Sequence, residues 1–86
     1  MGVDTDALQR GLGAVIRLHR QALGLSQEVL AERCRLHRTY IGSVERGERN
    51  LALGNVVRLA TALGLTPSGM LAEAEALAQR EVQDER

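Results

Sequence analysis

Residues 27–46, QEVLAERCRLHRTYIGSVER, decide the fold that this sequence predicts. The stretch indicates two short helices joined by a tight turn at Arg35 and Leu36, with Ser26 capping the first helix and Gly47 ending the second. Helices joined by so short a turn cross steeply and must pack closely. Small or apolar residues stand where the crossing requires them: Ala31, Ile41 and Val44.

Apolar residues at helical spacing predict three further helices around this pair. The first runs from about Thr5 to Leu23, and its inward stripe comprises Leu8, Leu12, Val15, Ile16 and Leu23. The fourth spans about residues 53–63 and is expected to bury Leu53, Val56, Val57, Leu59 or Ala60, and Leu63. The fifth starts at the capping pair Thr66–Pro67 and reaches about Gln83. Five helices and no strand signal predict an all-α protein with a single domain, residues 1–86.

Two glycines in the first helix leave its first half open to two interpretations. Gly11 and Gly13 each weaken a helix by about 1 kcal/mol relative to alanine. Either the helix frays before Leu12, or the glycines allow another helix to approach closely.

The composition excludes several classes of protein. A single cysteine, Cys34, permits no intrachain disulfide and is expected to be a small buried apolar group. No apolar run approaches the roughly 20 residues that span a bilayer. The first residues carry no basic stretch followed by an apolar one, so no signal peptide is indicated. The expectation is a cytoplasmic protein with no membrane contact.

Residues that carry catalysis or bind metal are not grouped in this sequence. His19 and His37 lack further ligands at metal-binding spacing, and no nucleophile, phosphate loop or carboxylate pair stands in a recognisable frame. The sequence therefore predicts a protein that is not an enzyme and needs no metal or cofactor.

Charge is distributed unevenly although its sum is zero. Residues 17–49 hold seven arginines and four glutamates, a net charge of +3, and all eleven cationic residues of the chain are arginine. The planar guanidinium suits two-pronged contacts to phosphate and guanine. Genomic base composition is the alternative explanation for the excess of arginine over lysine.

The outer face of the third helix carries hydrogen-bonding and charged groups of the kind that read duplex DNA. Residues at the start of a helix in the major groove, and one turn further on, reach base edges. Base contacts are predicted for Arg38, Thr39 and Ser43, and phosphate contacts for Gln27, Tyr40, Arg46, Arg49 and Asn50. The alternatives are a face that is merely solvated and a Tyr40 that covers a neighbouring loop.

Three motifs resemble the Cro/C1-type helix-turn-helix family: LGLSQEVLA at residues 23–31, YIGSVERGERN at residues 40–50 and LATALGL at residues 59–65. The resemblance extends over residues 12 to about 71. Residues 38–51, RTYIGSVERGERNL, are especially similar to the controller proteins of restriction–modification systems. The resemblance implies a five-helix, phage-repressor-like domain with its helix-turn-helix at residues 27–46.

The family also implies a buried ion pair between Arg20 and Glu45 that holds the recognition helix at its angle. Two positions depart from the family pattern: Arg35 stands where glycine is usual in the turn, and Leu51 replaces a common loop proline. A non-glycine residue with positive φ is strained by about 1 kcal/mol or slightly more.

The function that this resemblance implies is sequence-specific transcriptional regulation. A homodimer would bind double-stranded DNA at a short inverted repeat, and would either occlude RNA polymerase or contact it. The fifth helix is longer than its own domain requires, which favours a dimer contact through Leu71, Leu77, Ala78 and Val82, although the same residues could close the protein's own core. A protein-interaction module, or an antitoxin that binds both toxin and DNA, is the alternative function.

Overall fold

Five helices make up the fold of residues 3–84, the part of the chain that a computed structural model describes, with side chains to residue 81. They are α1 (Thr5–Ala22), α2 (Gln27–Cys34), α3 (Arg38–Glu45), α4 (Leu53–Ala62) and α5 (Pro67–Asp84). No strand occurs within these residues. The predicted all-α fold is confirmed, and each helix boundary lies within one or two residues of its expected position.

The turn between α2 and α3 adopts a left-handed backbone conformation, which is strained for a residue other than glycine. Arg35 has φ 58° and ψ 41°, the left-handed region, and is the one non-glycine residue with positive φ among those described. Its neighbour Leu36 donates its backbone N–H to the carbonyl oxygen of Ala31 at 2.9 Å, which ends α2. At the other end of α2, the Ser26 hydroxyl accepts from the N–H of Val29 at 3.0 Å, as predicted.

Close packing, and not fraying, is the role of the glycines in α1. The helix is continuous from Thr5, and its contact with α5 is the most extensive between any two helices. A Cβ atom on Gly11 would overlap the carbonyl oxygen of Ala74 in α5. One on Gly13 would overlap the carbonyl oxygens of Val44 and Glu45 in α3. The backbone of α1 therefore lies directly against the backbones of two other helices.

The interior of the protein is aliphatic, as the composition requires. Its largest fully buried side chains are Ile16, Leu30, Ile41, Leu59, Met70, Val15 and Val44. Cys34 is buried among them, and removal from water raises the pKa of its thiol. This confirms the prediction of a small buried group at that position.

Three leucine or valine residues that were predicted to be buried are exposed. Leu23 lies beyond the last turn of α1, where helical periodicity no longer sets the direction of the side chain. On α4, Leu53 is 74% exposed and Val57 is 44% exposed. The buried face of this helix follows Val56 and Leu59, and the two exposed residues lie roughly a quarter-turn away from it.

The α5 helix folds back along α1, and it does not project from the protein. Ala78 is buried in the protein's own interior, so its predicted contact with a second subunit was wrong. Leu71 and Leu77 are half-buried against the same core, and a dimer contact through them stays a prediction. The side chain of Val82 lies outside the described residues.

No helix in residues 3–84 combines the length and the apolar character that a membrane crossing requires. Within the same range, no three His, Cys, Asp or Glu side chains are grouped closely enough to hold a metal ion.

Substitution of Gly13 by alanine tests the backbone contact between α1 and α3. Gly13→Ala is expected to lower the free energy of unfolding by about 1–3 kcal/mol, because the new methyl group forces α3 outward. The matched control is Gly54→Ala in α4, where an added Cβ meets open space. The control should raise stability by about 0.5 kcal/mol, because alanine restricts the unfolded chain. Urea denaturation of both variants measures the difference, and equal stabilities would contradict the close contact.

Candidate nucleic-acid interface

A buried ion pair joins α1 to α3. Arg20 donates from Nε to Oε2 of Glu45 at 2.6 Å and from Nη2 to Oε1 at 3.0 Å. The Arg20 side chain is 11% exposed and that of Glu45 is 4% exposed. The hydrogen bond to Glu45 raises the pKa of Arg20 above its ordinary value. The pair that the family resemblance implied is therefore present, with two-pronged geometry.

The same two side chains also fix the start of α2. Arg20 donates a third hydrogen bond, from Nη1 to the carbonyl oxygen of Leu25, at 2.8 Å. Gln27, the first residue of α2, donates from Nε2 to Oε1 of Glu45 at 3.0 Å. One hydrogen-bonded cluster thus holds α1, α2 and α3 together. The phosphate contact predicted for Gln27 is not tested, and the structure gives this residue an internal role as well.

The outward face of α3 begins with Arg38 and Thr39, both exposed in the first turn. Helical periodicity places Arg46 above the same face. We call the exposed side chains of Arg38, Thr39 and Arg46 the α3 surface. Each arginine of this surface has one carboxylate partner: Arg38 lies 3.7 Å from Glu28, and Arg46 lies 3.1 Å from Glu48. Because these pairs are exposed, water screens them and they hold the arginines weakly.

Ser43 does not belong to the α3 surface, and its predicted outward position was wrong. The residue is 6% exposed. Its hydroxyl donates to the carbonyl oxygen of Tyr40 at 2.8 Å and accepts from Nε of Arg49 at 3.0 Å. The N–H of Glu48 donates to the carbonyl oxygen of Ser43 at 3.0 Å, which caps the end of α3. The contact from Arg49 brings the loop after Gly47 over this side of the helix. Ser43 therefore positions the loop, and the base contact predicted for it stays a prediction.

Tyr40 lies half-buried between the loop and α4. The guanidinium carbon of Arg49 is 5.6 Å from the centre of its ring, a cation–π distance. Asn55 in α4 donates from Nδ2 to the Tyr40 hydroxyl at 3.2 Å. The side chain thus contacts the neighbouring loop, and the phosphate contact predicted for it stays a prediction.

Arg49 and Asn50 are both exposed in the loop beside α3. Arg49 is held from two sides, by Ser43 and by the Tyr40 ring, so its guanidinium has a defined position. Sequence reasoning missed Asn55, because nothing in the pattern of α4 distinguishes this asparagine from a solvated one. Only its distance to the Tyr40 hydroxyl reveals the link between α4 and α3.

Comparison with known proteins shows the family. A helix-turn-helix family model matches residues 16–70. Control protein C.BamHI of Bacillus amyloliquefaciens is 48% identical over 56 residues, which are 65% of this chain and 67% of that protein. The chain belongs to the helix-turn-helix family of Cro/C1 type, which comprises DNA-binding transcription regulators and not enzymes.

Two solved structures of restriction–modification controllers share the fold. C.AhdI from Aeromonas hydrophila is 47% identical, with a TM-score of 0.70, over 72% of this chain and 94% of that chain. C.Esp1396I, solved as a tetramer in complex with its natural 35-base-pair operator, is 28% identical, with a TM-score of 0.74, over 84% of this chain and 95% of that chain. The similarity to controller proteins predicted from residues 38–51 is confirmed.

Removal of one partner from the buried ion pair tests its role in stability. Arg20→Ala should lower the free energy of unfolding by about 3–5 kcal/mol, because the Glu45 carboxylate would stay buried without its counter-ion. The double variant Arg20→Met with Glu45→Leu should recover most of this loss, since no charge is left in the interior.

The matched control for this experiment is Arg10→Ala, which breaks the solvent-exposed pair between Arg10 in α1 and Glu81 in α5. Water already solvates both of those groups, so little stability should be lost. Thermal and urea unfolding of the four proteins measure the effects. An Arg20→Ala variant as stable as the Arg10→Ala variant would show that the buried pair does not hold α3.

Proposed function

We propose that this protein is a controller of restriction–modification genes, and that it binds a short inverted repeat of double-stranded DNA as a homodimer. The observation that carries the proposal is the α3 surface, whose side chains point away from a helix that a buried ion pair holds in place. Similarity to C.BamHI, and to C.Esp1396I with its operator, supports it.

Base reading in this proposal comes from the first turn of α3. Arg38 donates two hydrogen bonds to N7 and O6 of guanine, a contact that discriminates by about 1–3 kcal/mol. The exposed Glu28 carboxylate is its only partner within the described residues, and water screens that pair. Thr39 offers a hydroxyl group to a base edge and a methyl group to thymine.

Phosphate contacts in this proposal flank the base contacts. Arg46 extends from the end of α3, and Arg49 and Asn50 extend from the loop that follows it. Gln27 lies at the positive end of the α2 dipole, where backbone N–H groups attract an anion. Phosphate contacts fix the orientation of a helix on the duplex, while the base contacts supply its sequence preference.

A second copy of the chain is proposed to pair through the exposed apolar side chains of α4. Leu53 and Val57 are one turn apart on the solvent side of this helix. The hydrogen bond between Asn55 and Tyr40 links α4 to α3, so a dimer across α4 would carry one recognition helix on each side of its two-fold axis. Recognition helices about 34 Å apart read half-sites one turn of DNA apart. Such a regulator acts in the cytoplasm, where it occludes RNA polymerase or contacts it.

Selection of binding sites from a random duplex library, followed by sequencing, tests DNA recognition. The wild-type protein should enrich an inverted repeat, and its affinity should fall steeply as salt rises, because phosphate contacts release counter-ions. Arg38→Ala should cost about 1–3 kcal/mol on the selected duplex and relax the preference at one base pair of each half-site.

The matched control for Arg38 is Arg33→Ala, an exposed arginine on α2 that faces the groove beside Val57 and not the α3 surface. This variant should keep the same preference at every position. Equal weakening of Arg38→Ala on all sequences would mean that Arg38 contacts phosphate and does not read a base. No enrichment by the wild-type protein at low salt would refute the proposed function.

Substitution of Leu53 by aspartate tests the dimer. Leu53→Asp should yield monomers in sedimentation velocity, because a carboxylate would have to leave water for an apolar interface. Its affinity for the selected duplex should also fall, since a monomer contacts only one half-site. The matched control is Leu18→Asp, another exposed leucine, on α1. If the Leu53→Asp variant sediments as a dimer like this control, α4 is not the contact.

A further inference from the structure

Asn55 contacts the recognition helix from outside the helix-turn-helix. It lies in the first turn of α4, half-buried, and donates from Nδ2 to the Tyr40 hydroxyl oxygen at 3.2 Å. No side chain of the helix-turn-helix itself bonds this hydroxyl group within the described residues. Asn55, fifteen positions further along the chain, thus determines which hydrogen bonds the Tyr40 hydroxyl can still make.

The direction of this hydrogen bond decides what the tyrosine can offer. A phenolic hydroxyl has one proton to donate and lone pairs that accept. An amide N–H that donates to the oxygen occupies a lone pair and leaves the tyrosine's own proton free. Phosphate oxygens only accept hydrogen bonds. A tyrosine that meets a phosphate therefore contributes through that proton alone.

The ring that carries this hydroxyl is also held in place. The Arg49 guanidinium lies over the ring at 5.6 Å, and Arg49 is itself held by the Ser43 hydroxyl at 3.0 Å. Ser43 donates in turn to the backbone carbonyl oxygen of Tyr40. The Tyr40 ring, the Arg49 guanidinium and the Ser43 hydroxyl are thus connected to one another, and Asn55 binds the Tyr40 hydroxyl at the outer end of the ring.

We propose that Asn55 is a positioning residue that keeps Tyr40 as a hydrogen-bond donor toward a DNA phosphate. This inference rests on the proposed function and deepens it, because it assigns to α4 a part in binding the DNA backbone. The amide nitrogen of Asn55 accepts no proton from Tyr40, so the donor stays available. A carboxylate at the same position would accept a hydrogen bond from the Tyr40 hydroxyl. The hydroxyl proton would then no longer be available to the phosphate.

The first test is made on the free protein and needs no DNA. Its signal comes from one residue, because Tyr40 is the only tyrosine of the chain. The tyrosine Fermi doublet in the Raman spectrum separates a hydroxyl that accepts from one that donates, and here it reports a single residue. The free wild-type protein should show the pattern of a hydroxyl that accepts from Asn55 and donates to water. Asn55→Asp should shift the doublet to the donating pattern, and Thr61→Ala, on the same helix, should leave it unchanged.

The second test measures affinity for the duplex selected from the random library. Tyr40→Phe should weaken binding about tenfold, and Asn55→Ala about threefold. Asn55→Asp should weaken binding more than Asn55→Ala does. A carboxylate also repels DNA, so each Asn55 variant is combined with Tyr40→Phe. In that background the Asn55→Ala change should produce no further loss, and the additional effect of aspartate should shrink to its charge repulsion alone.

Three results would overturn the inference while the proposed function stands. One is a donating doublet in the free wild-type protein, which would show that Asn55 accepts from Tyr40. Another is unchanged affinity of Tyr40→Phe for the selected duplex. The third is an equal loss from Asn55→Ala with and without the Tyr40 hydroxyl, which would mean that Asn55 acts by another route. Failure of the wild-type protein to bind any duplex would instead remove the proposed function.

Discussion

The guanidinium of Arg20 and the carboxylate of Glu45 meet in the interior of this protein, and their pairing sets the position of α3. Both groups need partners because an unpaired charge away from water is costly. A third N–H of Arg20, on Nη1, donates to the Leu25 carbonyl oxygen, and Glu45 accepts from Gln27 as well. The cluster therefore ties together the helix before the helix-turn-helix, the start of α2 and the end of α3. Hydrophobic contacts alone would allow α3 to slide or rotate, whereas a two-pronged ion pair has one favourable geometry.

The two sides of α3 are held by different chemistry. On the inner side, Gly13 brings the backbone of α1 against the carbonyl oxygens at the end of α3. On the flank, the loop after Gly47 returns over Ser43, and Tyr40 extends to α4. What is left free is a narrow strip led by Arg38 and Thr39. A surface that is narrow and fixed suits a groove about 12 Å wide, because the helix enters it without reorganisation.

Sequence reasoning predicted the helices well, since caps, glycine stops and apolar spacing are local signals. Ser26, Thr66 and the left-handed Arg35 all behave as their positions in the chain require. The Arg20–Glu45 pair lies beyond local signals, and only the family resemblance suggested it. Ser43 was misplaced because its burial depends on the path of a loop, which helical spacing does not contain. The predictions for Leu53, Val57 and Ala78 were wrong for a related reason. A periodic apolar stripe shows that a helix has a buried side, but the neighbouring helices decide which residues at its edges are covered.

The contact at Gly13 has a consequence for how such a protein diverges. Since α3 docks through main-chain atoms of α1 and through one internal ion pair, the side chains at positions 38, 39 and 46 carry almost none of the folding free energy. Exchange of these three residues changes the chemistry offered to a duplex while the scaffold beneath them stays the same. Proteins with this scaffold can therefore acquire new target sites through few mutations, and each variant along the way stays folded.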